Sequence, residues 1–180
     1  SRFSNLQQMN PYSQIKKHLD KFRAVITSDN KPYGLHRARD EYFFKGEKII
    51  SLRKCTKPSF TYTDFDCYVS ATFYVIKSER INLKYLTALL NSQLIEFWLK
   101  YKGKMQGHNY QVDKEPLLDL PIINVSTNHQ SSFIKLVDQI LSTTKDSDYL
   151  KNPDKQSKVK KLEKEIDQIV YKLYELTPEE

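Results

Sequence analysis

Two cysteines, no apolar run of about eighteen residues and none of the familiar catalytic signatures characterise this 180-residue chain, and each absence closes off a class of protein. Cys55 and Cys67 lack CxxC spacing and have no neighbouring histidine pair. They are therefore expected to be reduced thiols of a cytoplasmic protein, not a disulfide framework or a zinc site. Without an apolar run of that length, no segment reads as crossing a membrane. The opening Ser1-Arg2-Phe3-Ser4-Asn5 has neither an initiator Met nor an apolar signal core, the pattern expected of a fragment cut from a longer protein rather than of a secreted one. His18, His36, His108 and His129 are far apart and show no metal-ligand spacing. There is no Gly-x-Gly-x-x-Gly, Walker loop or nucleophile elbow, and the β-rich region lacks the Glu-x-Lys of a nuclease site. The chain is accordingly not expected to catalyse a reaction on its own, nor to hold a metal or a cofactor.

What is present is basic charge, and it is unevenly placed. Residues 1–57 hold thirteen Lys and Arg against five Asp and Glu, while residues 58–180 hold sixteen against seventeen. The whole positive excess is therefore N-terminal. A local excess of this size attracts polyanions through counterion release from phosphates, an effect that is strong, blind to sequence and sensitive to salt.

The periodicities give an α+β order. Asn10-Pro11 looks like a helix start, with Ile15, Leu19 and Phe22 on one side of a leading helix to about Arg23 that would dock on the domain. From 33 to 76 the chain changes to short aromatic and β-branched runs, 48–52, 60–62 and 68–76. No helix-length segment separates them, which argues against a doubly wound parallel sheet. Asn82 then caps one long helix to about Tyr101, whose stripe Leu83, Leu86, Leu90, Leu94, Phe97 and Trp98 is expected to be core. Residues 102–111 read as a loop whose glycines permit positive dihedrals, followed by a helical turn at 113–116 and the extended Leu120-Pro121-Ile122-Ile123. Residues 128–143 form a further helix with Phe133, Leu136, Val137 and Ile140 inward, and 142–158 is expected to be a polar, mobile connection. From Asp154 to Leu176, apolar residues recur at spacings of three and four over nearly three heptads. They serve either a coiled-coil partner or a hairpin with the 128–143 helix. The resulting division is a leading helix (1–24), a central domain (25–125) and a C-terminal helical hairpin (126–180).

Within that order lies an inventory suited to reading DNA. Arg and Lys bond guanine O6 and N7, and Asn and Gln pair with adenine N6 and N7. The 102–111 segment offers Lys104, Gln106, His108, Asn109 and Gln111 as base-reading candidates. Arg37, Arg39, Arg53, Lys54, Lys57 and Lys102 are candidates for the DNA backbone. Two plainer readings stand beside these: Arg37 and Arg39 could pair with Asp40 and Glu41, and the loop could be a simple connection.

The order of motifs resembles the TaqI-type C-terminal specificity domain over about residues 10–123. It runs from the entry Tyr33-Gly34-Leu35-His36-Arg37, with Tyr where the family carries Trp, through Lys48-Ile49-Ile50 and Leu89-Leu90-Asn91-Ser92 to Phe97-Trp98. A Gly-containing loop and the exit Leu120-Pro121-Ile122 follow. The end, Glu165 to Thr177, is similar to the way such enzymes finish. The resemblance implies an α+β fold, an irregular β-helix-like strand layer with a long core helix followed by a C-terminal α-hairpin. It also implies a partner, double-stranded DNA, and a parent: a bacterial adenine-specific methyltransferase, fused to a nuclease as a type II restriction-modification enzyme. In such a parent the methyltransferase domain of the same polypeptide would bind S-adenosylmethionine and flip the adenine, with Mg2+ required if a nuclease is fused, while this part selects the site. Half of a type I specificity subunit is the related alternative. A helix-mediated assembly protein built on the 154–176 heptads is the alternative of another kind.

Overall fold

The computed structural model describes residues 6–22, 40–177 and 179, in two compact units, Ser1–Phe43 and Phe44–Glu180. In the first, a 3-10 helix over Leu6–Tyr12 leads into α1, Ser13–Asp20. Asn10 is therefore not the cap that Asn10-Pro11 suggests. Pro11 lies inside the 3-10 turn and Tyr12 takes the cap position without a side-chain hydrogen bond; proline's fixed φ suits such a tight first turn. Ile15 and Phe22, expected on the apolar side, are both exposed. Arg37 and Arg39 lie outside the described residues.

The second unit holds everything else. β1 (Lys48–Leu52) is the centre of an antiparallel sheet. The next strand in sequence, β2 (Lys54–Cys55), leaves it for a second sheet, while β3 (Phe60–Thr63) and β4 (Phe73–Ile76) flank β1 in the order β3-β1-β4. Ile49 stands opposite Tyr62 and Ile76, and Ser51 opposite Phe60 and Tyr74. Opposed residues share a face, so these six turn one side of the sheet into the core. Lys48, on the other face, is fully buried. Its ammonium donates to the carbonyls of Gly46 (2.8 Å) and Phe65 (2.5 Å), which ties the ends of the neighbouring loops together.

Asn82 caps the following helix as expected, its Oδ1 accepting the N–H groups of Lys84 and Tyr85. The single helix to Tyr101 is not observed. It is two helices, α2 (Leu83–Leu90) and α3 (Gln93–Lys102). The break has a chemical cause, since Asn and Ser compete with the helix for hydrogen bonds. The Asn91 side chain leaves to bond both backbone groups of Phe60, and Ser92 turns extended to cap α3 through Ile95 N–H. The break also rotates the stripe, so Ile95 and Leu99 are buried while Phe97 is 61% exposed.

α2 is buried nearly all round. Leu86 and Leu90 pack with the β1–β3 face, whereas Tyr85 and Leu89 pack with the C-terminal helices. Those helices are α5 (Thr127–Thr144) and α6 (Pro153–Leu173), reached after the short α4 (Lys114–Leu118), and they form the expected hairpin. Leu162, Ile166 and Val170 of α6 share a cluster with Phe133, Leu136 and Val137 of α5, so the heptad stripe is taken up by the domain's own core. The connection expected to be mobile is structured. Lys155 bridges Asp146 (2.7 Å) and Asp148 (2.5 Å), and Asn152 caps α6 with Pro153 in its first turn.

Candidate nucleic-acid interface

The segment 102–111 folds as a β-hairpin in place of a loop. Gly103 ends α3, β5 runs Lys104–Gln106, Gly107 and His108 form the turn, and β6 runs Asn109–Gln111. Gly107 has φ +61°, the positive dihedral expected of a glycine here, and stands first in a two-residue turn, the pattern of type II′. β2 pairs on the other edge of β6, giving the order β2-β6-β5.

Register decides which side chains meet. Lys104 faces Gln111, Met105 faces Tyr110 and Gln106 faces Asn109, while across β6 Lys54 faces Gln111 and Cys55 faces Tyr110. With alternation along each strand, Lys54, Lys104, Gln106, Asn109 and Gln111 occupy one face, and Cys55, Met105 and Tyr110 the other. Cys55 and Tyr110 pack on the hydrophobic core; burial pushes the Cys55 thiol up, and it pushes the Tyr110 hydroxyl up with help from Glu96. Four of the five base-reading candidates and Lys54 thus share a single outward face, with exposed His108 at its tip.

Contacts on that face are specific. Lys54 Nζ donates to Gln106 Oε1 at 2.8 Å. Gln111 Nε2 donates to the carboxylate of Asp113 at 3.0 and 3.1 Å, and Lys104 Nζ stands 4.0 Å from the same carboxylate. Asp113 precedes α4 in the cap position but makes no side-chain cap bond. It is the neighbour of this face that sequence reasoning missed, because its sequence position identifies it only as a helix start.

The remaining backbone candidates are dispersed. Arg53 is the joint between the sheets: its N–H donates to Thr72 O, its carbonyl accepts from Val112 N–H, and its guanidinium lies 5.1 Å from the Tyr74 ring centre. Lys57 turns away to Glu96 at 3.9 Å, and Lys102 lies over the Trp98 ring at 5.8 Å. Cys55 and Cys67 are free. Among the described residues, no group of three or more His, Cys, Asp or Glu could hold a metal ion, and no helix is long and apolar enough to cross a membrane.

An α+β unit with one small sheet seated on its core and a polar face of amides and ammonium groups turned outward has the form of a recognition domain. Residues 9–122 match the TaqI-like C-terminal specificity domain, and the chain belongs to that family. It is also similar to two type II methyltransferases of Haemophilus influenzae, M.HincII and M.HindII, at 30% identity over 88 residues in each case. Each alignment takes in 44% of this chain, and the match spans only 18% and 17% of those relatives. Both sheets and helices α1 to α4 fall within the family match; the C-terminal hairpin follows it.

Proposed function

We propose that this chain is the DNA target-recognition module of a bacterial adenine-N6 DNA methyltransferase, of the type II kind in which methylation and cleavage reside in one polypeptide. The observation that carries the reading is the single polar face of the β2-β6-β5 sheet, with Lys54, Lys104, Gln106, Asn109 and Gln111 in register, in a chain of the specificity-domain family. Side chains of these types are those that reach base edges in a major groove, and a hairpin is narrow enough to enter one. The basic N-terminal third, with Arg37 and Arg39, supplies phosphate attraction that is independent of sequence. S-adenosylmethionine, and Mg2+ where a nuclease is fused, belong to the rest of the parent polypeptide, which flips and methylates the adenine. The kinship to type II methyltransferases supports this context.

The test is methylation profiling of the full-length enzyme on a randomised-site library, with Gln106, His108 and Asn109 replaced together by Ala. Site choice should relax while binding to random duplex stays nearly intact and keeps its steep decline with salt. The methylated base should be N6-methyladenine by mass spectrometry. An unaltered recognition sequence would remove the reading role from the hairpin.

A further inference from the structure

An ammonium group has three N–H donors and no lone pair. The Gln106 atom that meets Lys54 Nζ at 2.8 Å is accordingly its carbonyl oxygen. With Lys54 seated on that oxygen, one of its two lone pairs is taken, and Gln106 and Lys54 together present chiefly N–H groups: the Gln106 amino group and the remaining ammonium hydrogens. Gln111 is held the other way, its Nε2 on both Asp113 oxygens, and the same carboxylate draws Lys104 aside. Asn109, in register opposite Gln106, is exposed, and its side chain has no hydrogen-bond partner among the described residues. Both halves of its amide are open.

These unlike presentations match unlike bases. In the major groove guanine offers two acceptors, O6 and N7, whereas adenine offers one acceptor and one donor. A unit in which donors predominate is complementary to guanine and sets an ammonium or amino donor against an adenine N6 amino group. An amide with both halves free suits adenine. We propose that Lys54 and Gln106 act as one donor pair that reads a guanine, and that Asn109 reads an adenine on the neighbouring base pair. Directly opposed residues have Cβ atoms about 4.5–5.5 Å apart, enough to address successive base pairs stacked about 3.4 Å apart. Lys54 is then a specificity residue and not a phosphate clamp. This proposal rests on the hairpin face being the DNA-reading surface.

The experiment uses the full-length protein and duplexes selected by binding from a randomised library, then sequenced. Lys54→Ala and Gln106→Glu should each lower guanine preference at the same position by about 5- to 150-fold, the range of one lost base-edge contact. Gln106→Glu, which adds an acceptor, should shift that position toward cytosine, whose N4 amino group donates. Combining the two should relax the position no further than the stronger single change, and Asn109→Ala should relax the adjacent adenine. If Lys54→Ala instead weakens all sequences alike and flattens the salt dependence, it contacts phosphate and the donor pair is refuted. A loss of adenine preference in the Gln106 variant refutes it as well. In both of those results the relaxed adenine under Asn109→Ala leaves the reading surface standing. A parental motif retained by all the variants overturns that surface and this proposal together.

Discussion

Replacing Asn91 by Ala should destabilise the chain more than an exposed polar residue ordinarily would. Its side chain accepts the Phe60 N–H at 2.9 Å and donates to Phe60 O at 2.7 Å and to Thr87 O at 2.9 Å. Both backbone groups of one strand residue are satisfied by a single amide, so Asn91 stands in for a neighbouring strand at the free edge of β3. Alanine would orphan a donor and an acceptor beside the Phe60 side chain, which is 3% exposed. A buried group left without its partner costs about 1–3 kcal/mol. Asn91 itself is exposed and water reaches its position, which puts each loss near the lower limit, and the lost bond to Thr87 O adds a few tenths. The sum is about 2–3 kcal/mol, or roughly 5–10 °C in Tm for a chain of this size. Urea denaturation should show a lower midpoint at unchanged slope, and hydrogen exchange should show the Phe60 amide losing protection. A loss below about 0.5 kcal/mol, or an unchanged Phe60 exchange rate, would refute the claim that this residue closes the sheet edge.

Burial pushes the Asp167 carboxyl above its ordinary range against the opposing pull of the Gln93 N–H and Lys57. The folded chain then holds that proton more tightly than the unfolded one, and stability falls as pH rises from the unfolded value through the folded value. Asp167→Asn, which still accepts from Gln93, should raise Tm at about pH 7–8 and lose the advantage near about pH 3, below the unfolded value; an equal effect at both ends would exclude this origin. Ala at Gly103 would bring a Cβ to 2.4 Å from the Leu99 carbonyl, whereas at Gly107 it meets open space at φ +61°. Gly103→Ala should cost about 2–4 kcal/mol against about 1 kcal/mol at Gly107, and equal midpoints in denaturation would show that α3 does not need that approach.

Local signals in the sequence located most of the regular structure. Asn82 reads as a cap because its oxygen reaches two free N–H groups within three residues, an interaction complete within the segment itself. β1 and the α5–α6 pair follow from alternation and from the three-four spacing of Phe133, Leu136 and Val137 against Leu162, Ile166 and Val170. The break at Asn91-Ser92 was not legible, since the apolar stripe continues across it and the group that draws Asn91 out of the helix belongs to Phe60, thirty-one residues away.

The site divides along the same line. Gly107 marks a turn from sequence alone, yet the flanking strands are three residues each and too polar to carry a strand signal. They form because β2 supplies the second edge. That pairing also separates Arg53, Lys54 and Lys57, which form one basic cluster in sequence. Arg53 becomes the joint between sheets, Lys54 turns to Gln106, and Lys57 turns to Glu96. Residue type narrows what Gln106, Asn109 and Gln111 can bond. Which half of the Gln106 and Gln111 amides is engaged depends on Lys54 and Asp113, and for Gln106 that neighbour is brought by strand register from fifty-two residues away. Three residues of similar chemistry therefore present three different faces to a ligand, a distinction set by pairing across the sheet and not by the residues themselves.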